Sequence, residues 1–232
     1  MFKTQNLMLG ALLVGASVGH SAVLASYEFD NTGSTNDSES ANSAWFAATT
    51  VDPNVVGGGF TSGSGVDPLV IANTDVLFAA EGQGMSDGTT ADLAGAIVDG
   101  DYFGVTIAAA PGYTLDLDNV TFNVGRANNG TRDYAFFTSV GGFSVGDQVV
   151  YAENAITADS INSTQTIDLS GASYEGLTSI EFRIVFDRRV NNSGYSSATF
   201  IDNFTVNGAA IPEPSSAALL CLGAFALVRR RR

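Results

Sequence analysis

The sequence predicts an all-β fold, an antiparallel β-sandwich of the jelly-roll type, with an N-terminal signal helix and a short C-terminal apolar helix outside it. Three observations lead there. Apolar residues alternate with polar ones in several short runs, each bounded by Gly, Asn, Asp or Pro, the pattern of half-buried strands joined by turns. Between Ser26 and Ala210 no apolar spacing of three and four is sustained, so amphipathic helices are not expected in the body. The chain also holds 26 glycines, and short strands with Gly-rich turns pack most simply as two sheets face to face.

Taken in order, Val23 to Phe29 is the first predicted strand, leading into the polar loop from Asp30 to Asn42. The N-terminal third is expected to be irregular, because Gly57-Gly58-Gly59 and Ser62-Gly63-Ser64-Gly65 weaken any strand there. Tyr102 to Ala109 predicts a strand and Pro111-Gly112 a turn. Leu115 and Leu117 then alternate in step, and Val120, Phe122 and Val124 resume the alternation one residue out of phase. The Asp118-Asn119 interruption between them predicts a bulge or a turn. Asn129-Gly130, the preferred pair for a type I′ turn, predicts a hairpin joining Thr121 to Arg126 with Arg132 to Val140. Further on, Ile180, Phe182, Ile184 and Phe186 face one way while Glu181 and Arg183 face the other. Ala198 to Val206 is the last predicted strand, ending at Asn207-Gly208.

The two ends read as addresses. Lys3, an apolar run from Leu7 to Val18 and the small-residue stretch Ser21-Ala22-Val23-Leu24-Ala25 form a secretory signal peptide that engages the Sec machinery and signal peptidase, with a cut after Ala25 ranked before one after Ala22. At the other end come Pro212-Glu213-Pro214, an apolar segment from Ala217 to Val228, and Arg229, Arg230, Arg231 and Arg232. Arginines directly after an apolar segment hold that end on the cytoplasmic side. The segment falls short of the roughly 20 residues a permanent span needs, so it serves as a temporary inner-membrane tether. The domains expected are a signal peptide over 1–25, a β-sandwich over 26–209 and a sorting tail over 210–232.

This order of Pro-Glu-Pro, apolar segment and basic cluster at the end of an exported chain resembles the PEP-CTERM sorting signal of Gram-negative bacteria. The resemblance implies processing near Pro212, Glu213 and Pro214 by an exosortase, then delivery to the cell surface or to an extracellular polysaccharide matrix. Tails of this kind also carry an ice-binding C-terminal label, which describes the tail and not the body. The body is similar, more loosely, to exported bacterial sandwich proteins with the same tail. The residues concerned are Pro111-Gly112-Tyr113, Val120-Thr121-Phe122-Asn123-Val124, Phe137-Thr138-Ser139-Val140-Gly141-Gly142-Phe143, Ile167-Asp168-Leu169-Ser170, Ile180-Glu181-Phe182-Arg183, and the run from Ile201 to Gly208. They imply a galactose-binding-like or lectin-like jelly roll. Gly141 stands where that pattern usually carries an acid.

Charge and residue types narrow the chemistry. The chain has a net charge of −14, and between Ser26 and Ile211 five arginines face 23 acids, a net −18. Nucleic acid is excluded as a partner on that balance. His20 and Cys221, the chain's single His and Cys, lie in the two address segments, as does Lys3, its single Lys. The body therefore has no Ser-His-Asp or Cys-His nucleophile, no His/Cys zinc site and no Schiff-base lysine.

No residue is expected to be catalytic. What remains is oxygen chemistry: a structural Ca²⁺, or the carboxylate pair of a glycoside hydrolase. Asp99 with Asp101, the Asp30 to Glu39 loop and Asp202 are acidic candidates, and the galactose-binding-like resemblance implies Glu28 with Asp202 as the calcium pair. For ligand contact the candidates are Trp45, the single tryptophan, as a platform for a sugar ring, and Arg126 with Arg132 for a carboxylated polysaccharide. The bland readings are a core tryptophan and arginines paired with Asp133 or another nearby acid. Thr164-Gln165-Thr166 is the single Thr-x-Thr motif, too little for an ice-binding row. The function expected is a non-catalytic, exported surface or biofilm-matrix protein that binds carbohydrate. The alternatives are a carboxylate-based hydrolase and a purely structural matrix protein.

Overall fold

The computed structural model describes residues 21–29, 37–38, 46–70, 78–81, 92–126, 130–157, 163–189 and 199–213. The expected helices at the two ends, and Trp45, lie outside these residues. Among the described residues the strands form two antiparallel sheets, so the sandwich stands.

One sheet runs β12 (Ser163–Asp168), β9 (Tyr113–Arg126), β14 (Thr199–Pro212), β7 (Phe78–Glu81), β6 (Asp67–Val70) and β2 (Asp37–Ser38), with β1 (Ala22–Tyr27) pairing both β14 and β3 (Thr50–Val51). The other runs β11 (Val150–Ala152), β10 (Thr131–Thr138), β13 (Ser179–Arg189), β8 (Tyr102–Ala109) and β4 (Val55–Gly57), with β5 (Thr61–Ser62) also on β8. Alternation decides which side chains go inside. Ile180, Phe182, Ile184 and Phe186 of β13 are buried, as predicted, while Glu181 and Arg183 stay partly exposed on the outer face. Phe122 bridges the layers, with its ring centroid 5.6 Å from Tyr134, 5.9 Å from Phe136 and 6.0 Å from Phe204. Such aromatic contacts supply much of the core of a sandwich without disulfides.

The predicted interruption at Asp118 is a bulge. Asn207 pairs with Asn119 and Gly208 with Leu117, so Asp118 is the extra residue and Leu115, Leu117, Val120, Phe122 and Val124 all reach the core. A second bulge on β14 separates Asp202, opposite Asn123, from Thr205, opposite Thr121. At this point β14 changes neighbour on its other edge, from β7 at Thr199–Ile201 to β1 from Phe204 onward.

Two expectations are corrected. Asn129-Gly130 does not close a hairpin: β9 belongs to one sheet and β10 to the other, so the chain crosses between layers there. Both edges of β9 are taken by β12 and β14, and both edges of β10 by β11 and β13. Burying Phe122 against Tyr134 and Phe136 across the core outweighs a local turn preference worth far less. After the crossing, Thr131 is tied back to the first sheet, its backbone N–H donating to Thr199 Oγ1 at 3.0 Å. The body also contains a helix, α1 (Leu93–Asp99). Its two turns are too short to sustain a helical period, but its caps are in the sequence. Asp92 Oδ1 accepts from the Gly95 N–H, and Gly100 ends the helix at φ 81°. Ala96 packs against Ala135, Phe137 and Val185 on the outer face of the second sheet.

The sheets also reach past the predicted boundaries at both ends. β1 starts at Ala22 and β14 continues to Pro212.

Candidate functional site

Two regions are candidates for function: the strand end at Pro212 and Glu213, and the outer face of the second sheet. At the strand end, Ala210, Ile211 and Pro212 pair with Leu115, Thr114 and Tyr113. The Glu213 N–H then donates to Gly112 O at 2.8 Å. Gly112 adopts φ 85° in the turn after Pro111, a conformation that favours glycine. Pro212 and Glu213 are exposed at the rim of the sandwich. Pro214 and the four terminal arginines lie outside the described residues. Because β1 is antiparallel to β14 and Ala22 stands opposite Gly208, the start of the first strand and the exit of the tail share one end of the sheet.

On the outer face of the second sheet, the Arg183 guanidinium carbon lies 4.3 Å from the Tyr102 ring centroid and 3.8 Å from that of Phe143. Arg183 Nε also donates to Glu181 Oε1 at 2.6 Å. The two side chains keep 25% and 32% of their surface exposed, so this charged pair is braced by aromatic rings yet open to solvent. Phe143 is positioned by the loop 139–149. There Asp147 Oδ2 accepts from the Ser144 N–H, the Asp147 N–H donates to Ser144 O, and the Gly142 N–H donates to Thr138 O. A Cβ at Gly141 would stand 3.0 Å from the Asp147 carbonyl oxygen, the physical reason this position is small here. The sequence pattern already placed Glu181 and Arg183 side by side on one face. It had no means of bringing Phe143 over them, because that depends on the fold of a loop.

The other ligand candidates gather differently. Arg126 Nε donates to Ile156 O at 3.0 Å, and the Ile156 N–H donates to the backbone oxygen of Arg132. The two arginines thus bracket one residue at the end of the sandwich opposite the tail, with the Arg132 side chain exposed. Glu28 follows the last paired residue of β1, Tyr27, which stands opposite Phe204, and its N–H donates to Thr49 Oγ1 at 3.1 Å. Asp202 is buried and serves the bulge: its two carboxylate oxygens accept from the backbone N–H and the side-chain amide of Asn203, each at 2.7 Å. Among the described residues no group of three or more His, Cys, Asp or Glu side chains is placed to hold a metal ion.

Two pairs of acidic residues stand opposite each other across neighbouring strands among the described residues, Asp67 with Glu81 on β6 and β7 and Asp133 with Asp187. Asp133 and Asp187 are opposite each other on β10 and β13, and both are buried. The Tyr151 hydroxyl reaches Asp187 Oδ2 at 2.9 Å and Asp133 Oδ2 at 3.3 Å. Backbone N–H groups of Asp92 and Asn154 donate to the outer oxygens. Burial, followed by the hydrogen bond to and charge of Asp187 and then those of Asp133, raises the Tyr151 pKa well above the usual tyrosine range.

Residues 210–232 match the family model of the PEP-CTERM protein-sorting motif. The chain carries a PEP-CTERM tail. Such a tail marks an exported protein and makes an exosortase its processing partner. No curated protein matches the chain. Among solved structures it is similar to the carbohydrate-binding module TmCBM27, described for specific mannan recognition, at 11% identity and a TM-score of 0.35, over 82% of this chain and 99% of that one.

The PEP-CTERM match begins at Ala210, while β14 is still paired to β9. The folded body therefore runs into its sorting motif without a linker, and the first Pro of Pro-Glu-Pro is also the last residue of a strand. Among the described residues no helix is long and apolar enough to cross a membrane.

Proposed function

We propose that this is a non-catalytic protein of the cell surface or extracellular matrix of a Gram-negative bacterium, whose sandwich contacts carbohydrate through the outer face of its second sheet. The observation that carries this reading is the Arg183–Glu181 pair backed by Tyr102 and Phe143. Saccharide recognition uses a few well-placed hydrogen-bonding groups, and this cluster presents a guanidinium and a carboxylate at partial exposure, with the two rings holding the guanidinium in place. Arg126 and Arg132 add a second cationic position for a carboxylated polysaccharide.

Against a hydrolase built on Asp133 and Asp187 stands the place where these two carboxylates lie. Asp133 and Asp187 are closed off from solvent, whereas a glycosidase needs both carboxyl groups at the scissile bond. For calcium, Glu28 and Asp202 both stand beside the β14 bulge. Asp202 is already engaged by Asn203, so a bound ion needs further oxygen ligands than this pair.

The test is retention of the purified protein on immobilised polysaccharides, with and without EDTA, together with assay for released sugar. Retention without turnover, weakened roughly tenfold by Arg183→Ala or Phe143→Ala, supports the reading. Turnover would favour the hydrolase, and failure on every glycan the purely structural role. For sorting, replacing Pro212, Glu213 and Pro214 with alanine should trap the protein at the inner membrane, and unchanged surface delivery would refute that route.

A further inference from the structure

The N-terminal processing site can be located from the fold. Ala22, Val23 and the preceding Ser21 are exposed, and burial begins abruptly at Leu24. Leu24 and Ala25 are both 0% exposed and belong to the main hydrophobic core. Leu24 O accepts from the Asp52 N–H at 2.9 Å, Ala25 pairs with Val206 on one side and Val51 on the other, and Leu24 packs over Gly208.

A cut after Ala25 would remove all of this. It would leave Ser26 and Tyr27 as the remnant of β1, take a large side chain out of a close-packed core and expose the β14 edge from Val206 to Gly208. Signal peptidase reads an A-x-A-like site, in which the residue just before the scissile bond must be small. Two positions earlier stands His20 for a cut after Ala22 and Val23 for a cut after Ala25, alanine in neither case. Ala25 meets the need for a small residue but lies inside the fold. Ala22 meets it at the last point where nothing buried is lost.

We infer that signal peptidase cuts between Ala22 and Val23, so that the mature protein begins at Val23 and keeps β1 from that residue onward. This rests on the reading of the chain as an exported protein with a cleaved leader.

The experiment is N-terminal sequencing and intact-mass measurement of the full-length protein recovered from cells, beside the variant Ala22→Phe. Val23 is the expected first residue. Ala22→Phe, which places a large ring before the bond but on an exposed position of the body, should accumulate as a leader-bearing precursor. A first residue of Ser26, with Ala22→Phe processed as usual, would overturn the inference while leaving the leader intact. A start at Met1 would remove the leader reading and the inference with it, and any other start refutes the bond assigned here.

Discussion

Asp133 and Asp187, directly opposite each other on neighbouring strands and both out of contact with solvent, share the hydroxyl of Tyr151. A buried carboxylate is costly unless it is hydrogen-bonded, and one hydroxyl serves two of them here. Tyr151→Phe keeps the ring and removes only that group. It should lower the unfolding free energy by about 2 kcal/mol, the scale of a hydrogen bond to a charged group. Urea denaturation of the two proteins measures it, and an unchanged midpoint would show that the hydroxyl is dispensable.

The same residue shapes the response to alkali. Tyr151 and Tyr27 hold their protons well above the usual range, and burial pushes Tyr134 up to about 12. Tyrosines of the unfolded chain ionise near about pH 10. Above that value the native state therefore binds more protons than the unfolded one. The stabilisation is complete below about pH 10 and is lost as pH rises through the native values. The body has neither lysine nor cysteine to titrate in this window. The urea midpoint should hold steady from pH 8 to 9.5 and fall steeply beyond 10, in step with tyrosinate absorbance on unfolding. A midpoint flat to pH 11.5 would contradict these assignments.

The fold was legible wherever one physical term dominates. Burial of one face fixed Ile180, Phe182, Ile184 and Phe186 in β13, and the phase change at Asp118 announced a bulge because both halves of β9 must reach the core. Where two terms compete, local sequence misleads. Asn129-Gly130 favours a turn, yet core packing sends the strands on either side of it into different sheets. At Ala25 the demands of the leader and of the first strand overlap on the same residues, and burial is what separates them. In the candidate site, Glu181 and Arg183 follow from alternation. Their bracing by Tyr102 and Phe143 arises from tertiary placement of a loop, which no local pattern encodes.

Two glycines should respond differently to alanine. A Cβ on Gly208 would collide with the Asp116 carbonyl oxygen and meet Leu24 Cδ1 at 3.1 Å, all within the bulge that joins β9, β14 and β1. Gly208→Ala must displace backbone and should cost about 3 kcal/mol, as overpacking does. Gly112 has nothing within 4 Å of its Cβ position, and its φ of 85° is the sole objection. Gly112→Ala should cost about 1 kcal/mol. Equal losses in the two variants would refute this account.

The bulge at Asp202 makes the last prediction. Asn203 sits at φ 50°, a region that Asn tolerates better than most residues, and its backbone and side-chain N–H groups both bind the Asp202 carboxylate. This clamp holds β14 where it exchanges β7 for β1, so it sets the register of the strand that ends in the sorting motif. Asp202→Ala removes the acceptor of both bonds and should destabilise the protein by about 2 kcal/mol. Asn203→Gly keeps the backbone bond and relaxes the conformation, so it should cost well under half as much. Amide hydrogen exchange supplies the second readout. Protection should fall at Phe204 to Gly208 and at β1 in Asp202→Ala, while β13 in the other sheet stays protected. Uniform loss across both sheets would mean that Asp202 supports global stability and does not act on the strand exchange.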